Sequence, residues 1–484
     1  MYRLIKLGLL FKLGLLLALF AFVFLSQSCH FGSRDKTFVI LSTNDMHAQI
    51  DKFPALATAI ELCRDTVDVI LVDAGDRWTG NAYVDLVEHY TPIYELMNHL
   101  DYDVTIYGNH EFDKGQAYLA TSNRQAQFPI IGANILSDTT TFPQPAPHYI
   151  VEVEGKKIAF VGVVGNYEAN GHPSGKDESY EGLTFSDPHT TAAQYSYLAE
   201  ECDMLVLVSH CGLERDVEFA QSPLSEGYDH IISAHSHDTA IETIGGKLIS
   251  QTGSRLKNIG ATTVTITKRG EIKLSHCNVP LADYAPDAAI AQIVDNYYHN
   301  PTLNAPIGSA SQTFMESGVR NLFAETIRKR VAADVGIYHA GGVRIDTIPE
   351  GEISMATVLN AEPFNSYIAT ATMSCDELKS LIMAKFNDKL NVGESHYIDI
   401  IATTPYVVLT GADGDAVDVI FPELDPEKRY VVAMGDYIFK TYSSLNYSKG
   451  GITETLITTT LEEHIKKLGV ITPNEQVLQS IEPQ

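Results

Sequence analysis

The chain has 484 residues, enough for two or three domains with full-sized cores, and its hydrophobic fraction of 45% is ordinary for a globular protein. Its formal charge is −27. A body this acidic argues against nucleic-acid backbones as partners, because phosphate chains call for clustered Lys and Arg. An anionic substrate would then need a local positive centre, and bound metal ions would supply one.

At the N-terminus, Arg3, Lys6 and Lys12 precede the uncharged apolar run Leu13–Leu25. That run is shorter than the ~20 residues needed to span a bilayer as a helix. Ser26, Gln27 and Ser28 then lead into Cys29. Small residues beside a Cys indicate lipoprotein processing. Residues 1–28 are therefore expected to be a signal peptide, and the product to be exported to the periplasm or cell envelope, anchored by a lipid on Cys29. Ser26 departs from the Leu usual three places before such a Cys, so cleavage elsewhere or an uncleaved anchor are the alternatives. The remaining cysteines, Cys63, Cys202, Cys211, Cys277 and Cys375, form no CxxC pair and read as small buried residues.

From Thr37 onward, short apolar runs alternate with amphipathic stretches. Phe38–Ser42, Val67–Val72, Val104–Tyr107, Pro129–Ala133, Ile158–Val164, Met204–Val208 and His230–Ser233 read as buried strands, rich in Val and Ile. Phe53–Cys63, Thr91–Leu100 and Thr190–Glu201 have helical period. This is the pattern of an α/β layered domain, which Lys247–Leu281 finishes with consecutive strands. Pro286–Asn300 reads as a helix, with Asp287 near its start and Pro301 past its end, and is the candidate linker. Beyond Pro306, Val319–Val331 and Cys375–Phe386 read as helices. Val335–His339, Pro405–Thr410 and Tyr430–Met434 read as strands. The acidic stretch Asp413–Asp418 lacks the further ligands of a calcium loop, so it is expected to be a hairpin turn.

Five segments at predicted strand ends carry the chemistry. Ser42–His47 offers Asp45 and His47, two apart, so that strand alternation would put them on one face. Val72–Asp76 offers Asp76 after a glycine turn, where its two oxygens could bridge two ions. Tyr107–Asp113 offers the neutral amide of Asn109, and His110, left free for substrate. Val208–His210 offers His210, and Ser233–His237 offers His235 and His237. Each segment alone is more often a turn, a helix cap or a structural histidine. Their assembly in order within one domain makes a metal site the stronger reading. The mixture of N and O ligands suits zinc, manganese or iron better than calcium. Two such ions about 3.5–4 Å apart would generate a hydroxide nucleophile and stabilise charge developing at phosphorus.

These segments resemble the calcineurin-like metallophosphoesterase signature, and the Gly108–Asp113 form is similar to that of the 5′-nucleotidase family, which includes UDP-sugar hydrolases and 2′,3′-cyclic-nucleotide phosphodiesterases. The resemblance implies a four-layer α/β/β/α metallophosphoesterase domain (37–285), a linker helix (286–305) and a smaller α+β 5′-nucleotidase-type C-terminal domain (306–484). It implies that Asp45, His47, Asp76 and His237 hold one divalent ion, and Asp76, Asn109, His210 and His235 the other. It also makes His110, paired with Asp113, the residue that assists the leaving oxygen, as a carboxylate-oriented imidazole can. Ala234 stands where the family commonly has Gly.

In the second half, Ala340–Arg344 resembles the family's N-A-G-G-I-R segment, with His339 in place of Asn, and Pro363–Asn365 its P-F-G/N segment. Arg344 would contact a phosphate, a task suited to its planar fork. Tyr437 matches one of two aromatic rings that sandwich a nucleobase in the family, whereas Asp399 and Ile400 stand at the other. The N-G-G-D-G segment is replaced around Asn446–Gly451. The expected substrate is thus a small-molecule phosphate ester, first a nucleotide. The alternatives are a nucleotide sugar, a cyclic nucleotide or a thiosulfonate on the same scaffold, with a vestigial, non-catalytic surface binding protein as the reading from another class.

Overall fold

Alternation in the first strand sets the architecture. Within Lys36–Thr43, Phe38 and Ile40 point one way and Val39 and Leu41 the other, and all four are buried. A strand apolar on both faces must be covered on both. The computed structural model describes residues 35–137, 139–166, 171–387, 397–442 and 448–484, and shows how that is done. The signal peptide expected over residues 1–28, Cys29 and part of the Asn446–Gly451 segment lie outside the described residues.

In chain order the strands of the first half are β1 (Lys36–Thr43), β2 (Val69–Asp73), β3 (Val104–Ile106), β4 (Ile130–Ile131), β5 (Ile135–Leu136), β6 (His148–Val153), β7 (Lys156–Val164), β8 (Thr184–Phe185), β9 (Met204–His210), β10 (His230–Ser233), β11 (Thr239–Ile244), β12 (Lys247–Thr252), β13 (Asn258–Ile266) and β14 (Ile272–Pro280). Two six-stranded sheets result, in the orders β14-β13-β1-β2-β3-β4 and β11-β12-β10-β9-β7-β6, with β5 and β8 paired separately. β1 to β4 run parallel, as do β7, β9, β10 and β12. The sheets meet face to face through Phe38, Ile40, Ile70, Val72 and Val104 on one side and Phe160, Val206, Val208 and Ile232 on the other. Val39, Leu41 and Leu71 face outward onto the helices Phe53–Arg64 and Thr91–His99. Val161, Leu205, Leu207 and Ile231 face outward onto Phe219 of the helix Leu213–Gln221. The result is a four-layer α/β/β/α domain.

Two local expectations change. Thr190–Glu201 is not one helix but two, Pro188–Ala193 and Leu198–Glu201. Asp187 caps the first, and the Ser196 hydroxyl then donates to the Ala193 carbonyl at 2.5 Å, competing for an acceptor that a continuing helix would use. The strand predicted from Val67 begins at Val69. The helix Ala288–Tyr298, capped by Asp287, packs Ile290 and Val294 into the same cluster as Phe53 and Leu56. Asp413–Asp415 makes the turn of an antiparallel hairpin joining Tyr406–Thr410 to Ala416–Ile420.

The second half is built on a five-stranded mixed sheet, in the order Ile400–Ala402, Val335–His339, Arg429–Gly435, Tyr367–Ser374, Ser448–Leu456. The helices Glu316–Arg330 and Ile457–Leu468 cover one face. The helix Cys375–Phe386, started by a Ser374/Glu377 capping box, covers the other. Among the described residues no helix is long and apolar enough to cross a membrane.

The turn Glu362–Ser366 projects from this half, held by the Ser366 hydroxyl donating to buried Glu362 at 2.7 Å. Burial lifts the Glu362 carboxyl from 4.5 to about 7. A raised carboxyl pKa costs nothing below the unfolded value and destabilises increasingly as pH rises towards the folded one. Glu362→Gln is therefore expected to leave Tm unchanged near pH 4.5 and to raise stability near pH 8 by about 1–3 kcal/mol, measured by thermal denaturation against the parent chain at each pH.

Candidate metal centre

The parallel strands β1, β2, β3, β9 and β10 all end at one edge of the layered domain, where sites form in such folds. Asp45 and His47 follow β1, Asp76 follows β2, Asn109 follows β3, His210 ends β9, and His235 and His237 follow β10. The backbone does something alternation does not predict. Asp45, His47, Asp76, His235 and His237 have φ of 47°, 45°, 55°, 82° and 62°, all left-handed. Convergence comes from coiled loops locked to each other, with Asp45 N–H donating to Gly75 O and His47 N–H to Asp76 O, both at 3.0 Å. Non-glycine residues held there cost about 1 kcal/mol or more each, a strain that tends to collect at functional sites.

The side chains then meet. Asp45 Oδ1 lies 3.3 Å from His237 Nε2, and His47 Nε2 lies 3.0 Å from the same nitrogen. Asp76 Oδ2 lies 3.2 Å from His210 Nε2, beside which the His235 ring packs at 5.1 Å between centroids. Asp45, His47 and His237 form one group whose ligand atoms lie within 4.8 Å of one another, and Asp76, His210 and His235 form another. Asp76 also groups with His47 and His110, so it reaches both sides. A narrow cleft opens at Asn109, His210 and His235, walled by Val164, Gly165, Pro173 and Ser174.

The buried atoms test whether cations fit. Asp45 Oδ1, Asn109 Oδ1 and His210 Nε2 are buried without a hydrogen-bond partner. Such orphans are costly in a protein interior unless something satisfies them. The histidines are oriented as ligands commonly are: His47 Nδ1 faces the Thr79 carbonyl at 3.1 Å and His210 Nδ1 the Ala74 carbonyl at 2.7 Å, leaving each Nε2 to point inward. Burial pushes His235 down to about 3, leaving a neutral imidazole. Burial also disfavours charge on His210, yet Asp76 and Asp45 lift it to about 10, showing how strongly these carboxylates hold positive charge. The residues present suit one or two divalent cations.

Two supporting residues lay inside the segments without being singled out in the sequence. Asn44 donates to Asp45 Oδ2 at 2.7 Å and to Gly253 O at 2.6 Å, and accepts from Thr252 N–H at 3.0 Å. With His235 N–H also on Oδ2 at 3.0 Å, only Oδ1 of Asp45 is left to face the centre. Glu111, buried, accepts from Asp76, Arg77 and Gly108 N–H at 3.0, 2.8 and 2.6 Å, bracing two ligand loops at once. The sequence signal was slight: Asn44 adjoins the ligand Asp45, and Glu111 adjoins His110.

His110 donates its backbone N–H to Asp76 Oδ1 at 2.9 Å, and its Nδ1 meets Asp113 Oδ2 at 2.9 Å. Thr79 donates to the same Asp113 oxygen at 2.7 Å. Burial opposes charge on His110, but Asp113 and Asp76 prevail and raise its pKa. The second half of the chain closes over this point. The Phe364 ring lies 5.7 Å from that of His110, at 24°, and Arg344 Nη2 lies 3.1 Å from His47 Nε2. The Arg344 Nε is buried without a partner. The Tyr437 ring lies 5.0 Å from that of His339, the residue before the Ala340–Arg344 segment. Asp399 is buried 3.3 Å from Lys385 Nζ.

Gly108 leaves no room for a side chain. A Cβ there would stand 2.2 Å from Asp76 Oδ1 and 2.8 Å from His210 Cε1. Gly108→Ala is therefore expected to cut metal content and activity together by at least about tenfold, read by elemental analysis and turnover, because both ligands must shift.

The paired sheets with ligands at their strand ends define a metallophosphoesterase domain, and the model described as calcineurin-like phosphoesterase matches residues 38–239. The model described as 5′-nucleotidase, C-terminal domain matches residues 298–446. The two matches together make the chain a member of the 5′-nucleotidase family. It is 25% identical over 458 residues to Endonuclease YhcR of Bacillus subtilis, covering 82% of this chain and 37% of that protein. It is 24% identical over 480 residues to a 5′-nucleotidase of Vibrio cholerae, covering 82% and 84%. The chain thus spans little more than a third of the first relative's length and most of the second's. A 5′-nucleotidase precursor of Thermus thermophilus shares the fold, with a TM-score of 0.78 at 19% identity over 92% of this chain and 99% of that one.

Proposed function

We propose that the protein is an exported two-metal phosphoesterase that hydrolyses phosphate esters of nucleotides, a 5′-nucleotidase-like activity. The observation carrying this reading is the convergence of Asp45, His47, Asp76, His210, His235 and His237 in buried clusters of metal-ligand type, with Asn109 Oδ1 buried and lacking a hydrogen-bond partner. Two divalent ions, zinc, manganese or iron, would supply charge to bind the phosphate and would activate water at neutral pH. His110, with Nδ1 tied to Asp113, presents Nε2 to the leaving oxygen and gives it a proton. Arg344 reaches the phosphate from the opposite side, and Phe364 covers His110 and helps exclude water. Residues 37–285 would hold the ions, the helix within 286–305 would join the halves, and residues 306–484 would grip the organic part of the substrate, with Tyr437 as one wall. The basic and apolar leader before Cys29 supports export to the periplasm or cell envelope, with a lipid on Cys29.

A second reading rests on Asp399, whose carboxylate is engaged by Lys385 at the position where the family has its second nucleobase-stacking ring. It favours another ester on the same centre: a nucleotide sugar, a cyclic nucleotide or a thiosulfonate. Phosphate release from AMP, UDP-glucose and 2′,3′-cyclic AMP, with each divalent metal, tests both. Highest turnover of AMP supports the first, and preference for either other phosphate ester selects the second. Turnover of none overturns the nucleotide readings.

A further inference from the structure

Arg255 lies at the rim of the centre and has no part in the ligand set. It sits between β12 and β13, and its backbone N–H donates to the carbonyl of Asp45 at 2.7 Å, which fixes its distance from the ions' ligands. Arg255 and Leu256 are both left-handed, at φ 57° and 50°, a conformation a long side chain seldom adopts and one kept where surrounding structure over-determines it. Its Nη1 stands 3.4 Å from both carboxylate oxygens of Asp346, two residues past Arg344. The Asp346 side chain is 59% exposed, so that ion pair is weak and readily exchanged. Two guanidiniums therefore serve the same edge of the site, Arg344 against His47 and Arg255 tied through its backbone to Asp45.

We propose that Arg255 is a specificity-determining residue that binds a second phosphate next to the scissile one, so that the centre prefers diphosphate-bearing nucleotides to monophosphates. The inference rests on the nucleotide-hydrolase reading above. Asp346 occupies Arg255 until the substrate's penultimate phosphate displaces it. The competing account makes Arg255–Asp346 a latch between the halves of the chain. The two accounts differ in sign at Asp346: removing a competitor strengthens diphosphate binding, whereas removing half of a latch weakens it.

The test compares the parent protein, Arg255→Gln and Asp346→Asn, all metal-loaded. Calorimetric titration with the non-hydrolysable α,β-methylene analogue of ADP gives binding, and kinetics on AMP and ADP give the ratio of their kcat/KM values. Arg255→Gln is expected to weaken analogue binding about tenfold and to lower the ADP-to-AMP ratio by a similar factor, as loss of a charged hydrogen bond would. Asp346→Asn is expected to tighten analogue binding about two- to threefold. Analogue binding within twofold of the parent in Arg255→Gln, or weakening by both substitutions alike, would overturn the proposal. Absence of turnover of both nucleotides by the parent overturns the hydrolase reading instead, and the calorimetry still decides the role of Arg255.

Discussion

Asp76→Ala is expected to lose both metal ions and to lower turnover by at least ~10³-fold, about 4 kcal/mol of transition-state stabilisation. Asp76 alone belongs to ligand groups on both sides of the centre, with His47 and with His210 and His235. It is 1% exposed and the neighbouring imidazoles control its charge: burial opposes ionisation, but His210 and His110 hold its carboxyl well below the usual range. Without that carboxylate, His210 keeps only Asp45 Oδ1 at 3.9 Å as a charged partner, too far for a hydrogen bond. The backbone N–H of His110 also loses its acceptor, so the loop carrying Asn109 loosens. Asp45→Ala is the informative comparison, since Asp45 groups only with His47 and His237. Elemental analysis should show one ion lost there and two in Asp76→Ala.

His110→Ala should separate catalysis from metal binding. Removing a positioned proton donor typically costs 10²–10⁴-fold in turnover, and kcat should fall in that range while both ions remain. The outcome is not foregone, because His110 offers a ring nitrogen within the same 4.8 Å as His47 and Asp76. Its Nε2 is 4.0 Å from Asp76 Oδ2, against 3.2 Å for His210. Its Nδ1 is held by Asp113, and its ring faces Phe364 from the other half of the chain, where an ester would enter. Loss of an ion from His110→Ala would make it a ligand and remove it as the proton donor.

The layered fold was legible because burial on both faces leaves near-continuous Val and Ile runs, as in β1, β7 and β9, and helical period between them. The ligand residues were legible as types at strand ends. Their geometry was not. Alternation was the wrong reason for bringing Asp45 and His47 together, since both sit past the strand at positive φ. That conformation is imposed by the Gly75 and Asp76 carbonyls of the neighbouring loop. Glu111 was invisible as a brace because its three donors come from loops it meets only after folding. The contact between Arg344 and His47 joins residues 297 apart, and no local pattern encodes it. The break in Thr190–Glu201 turned on one serine hydroxyl, below what periodicity resolves.

The central claim is that seven residues hold two catalytic ions. Metal content per chain, measured alongside phosphate release from AMP before and after chelation, tests it most directly. The account predicts two zinc, manganese or iron ions per chain, loss of activity on chelation and recovery when one of these metals is restored. Phosphate release that persists undiminished in protein stripped of metal would contradict it.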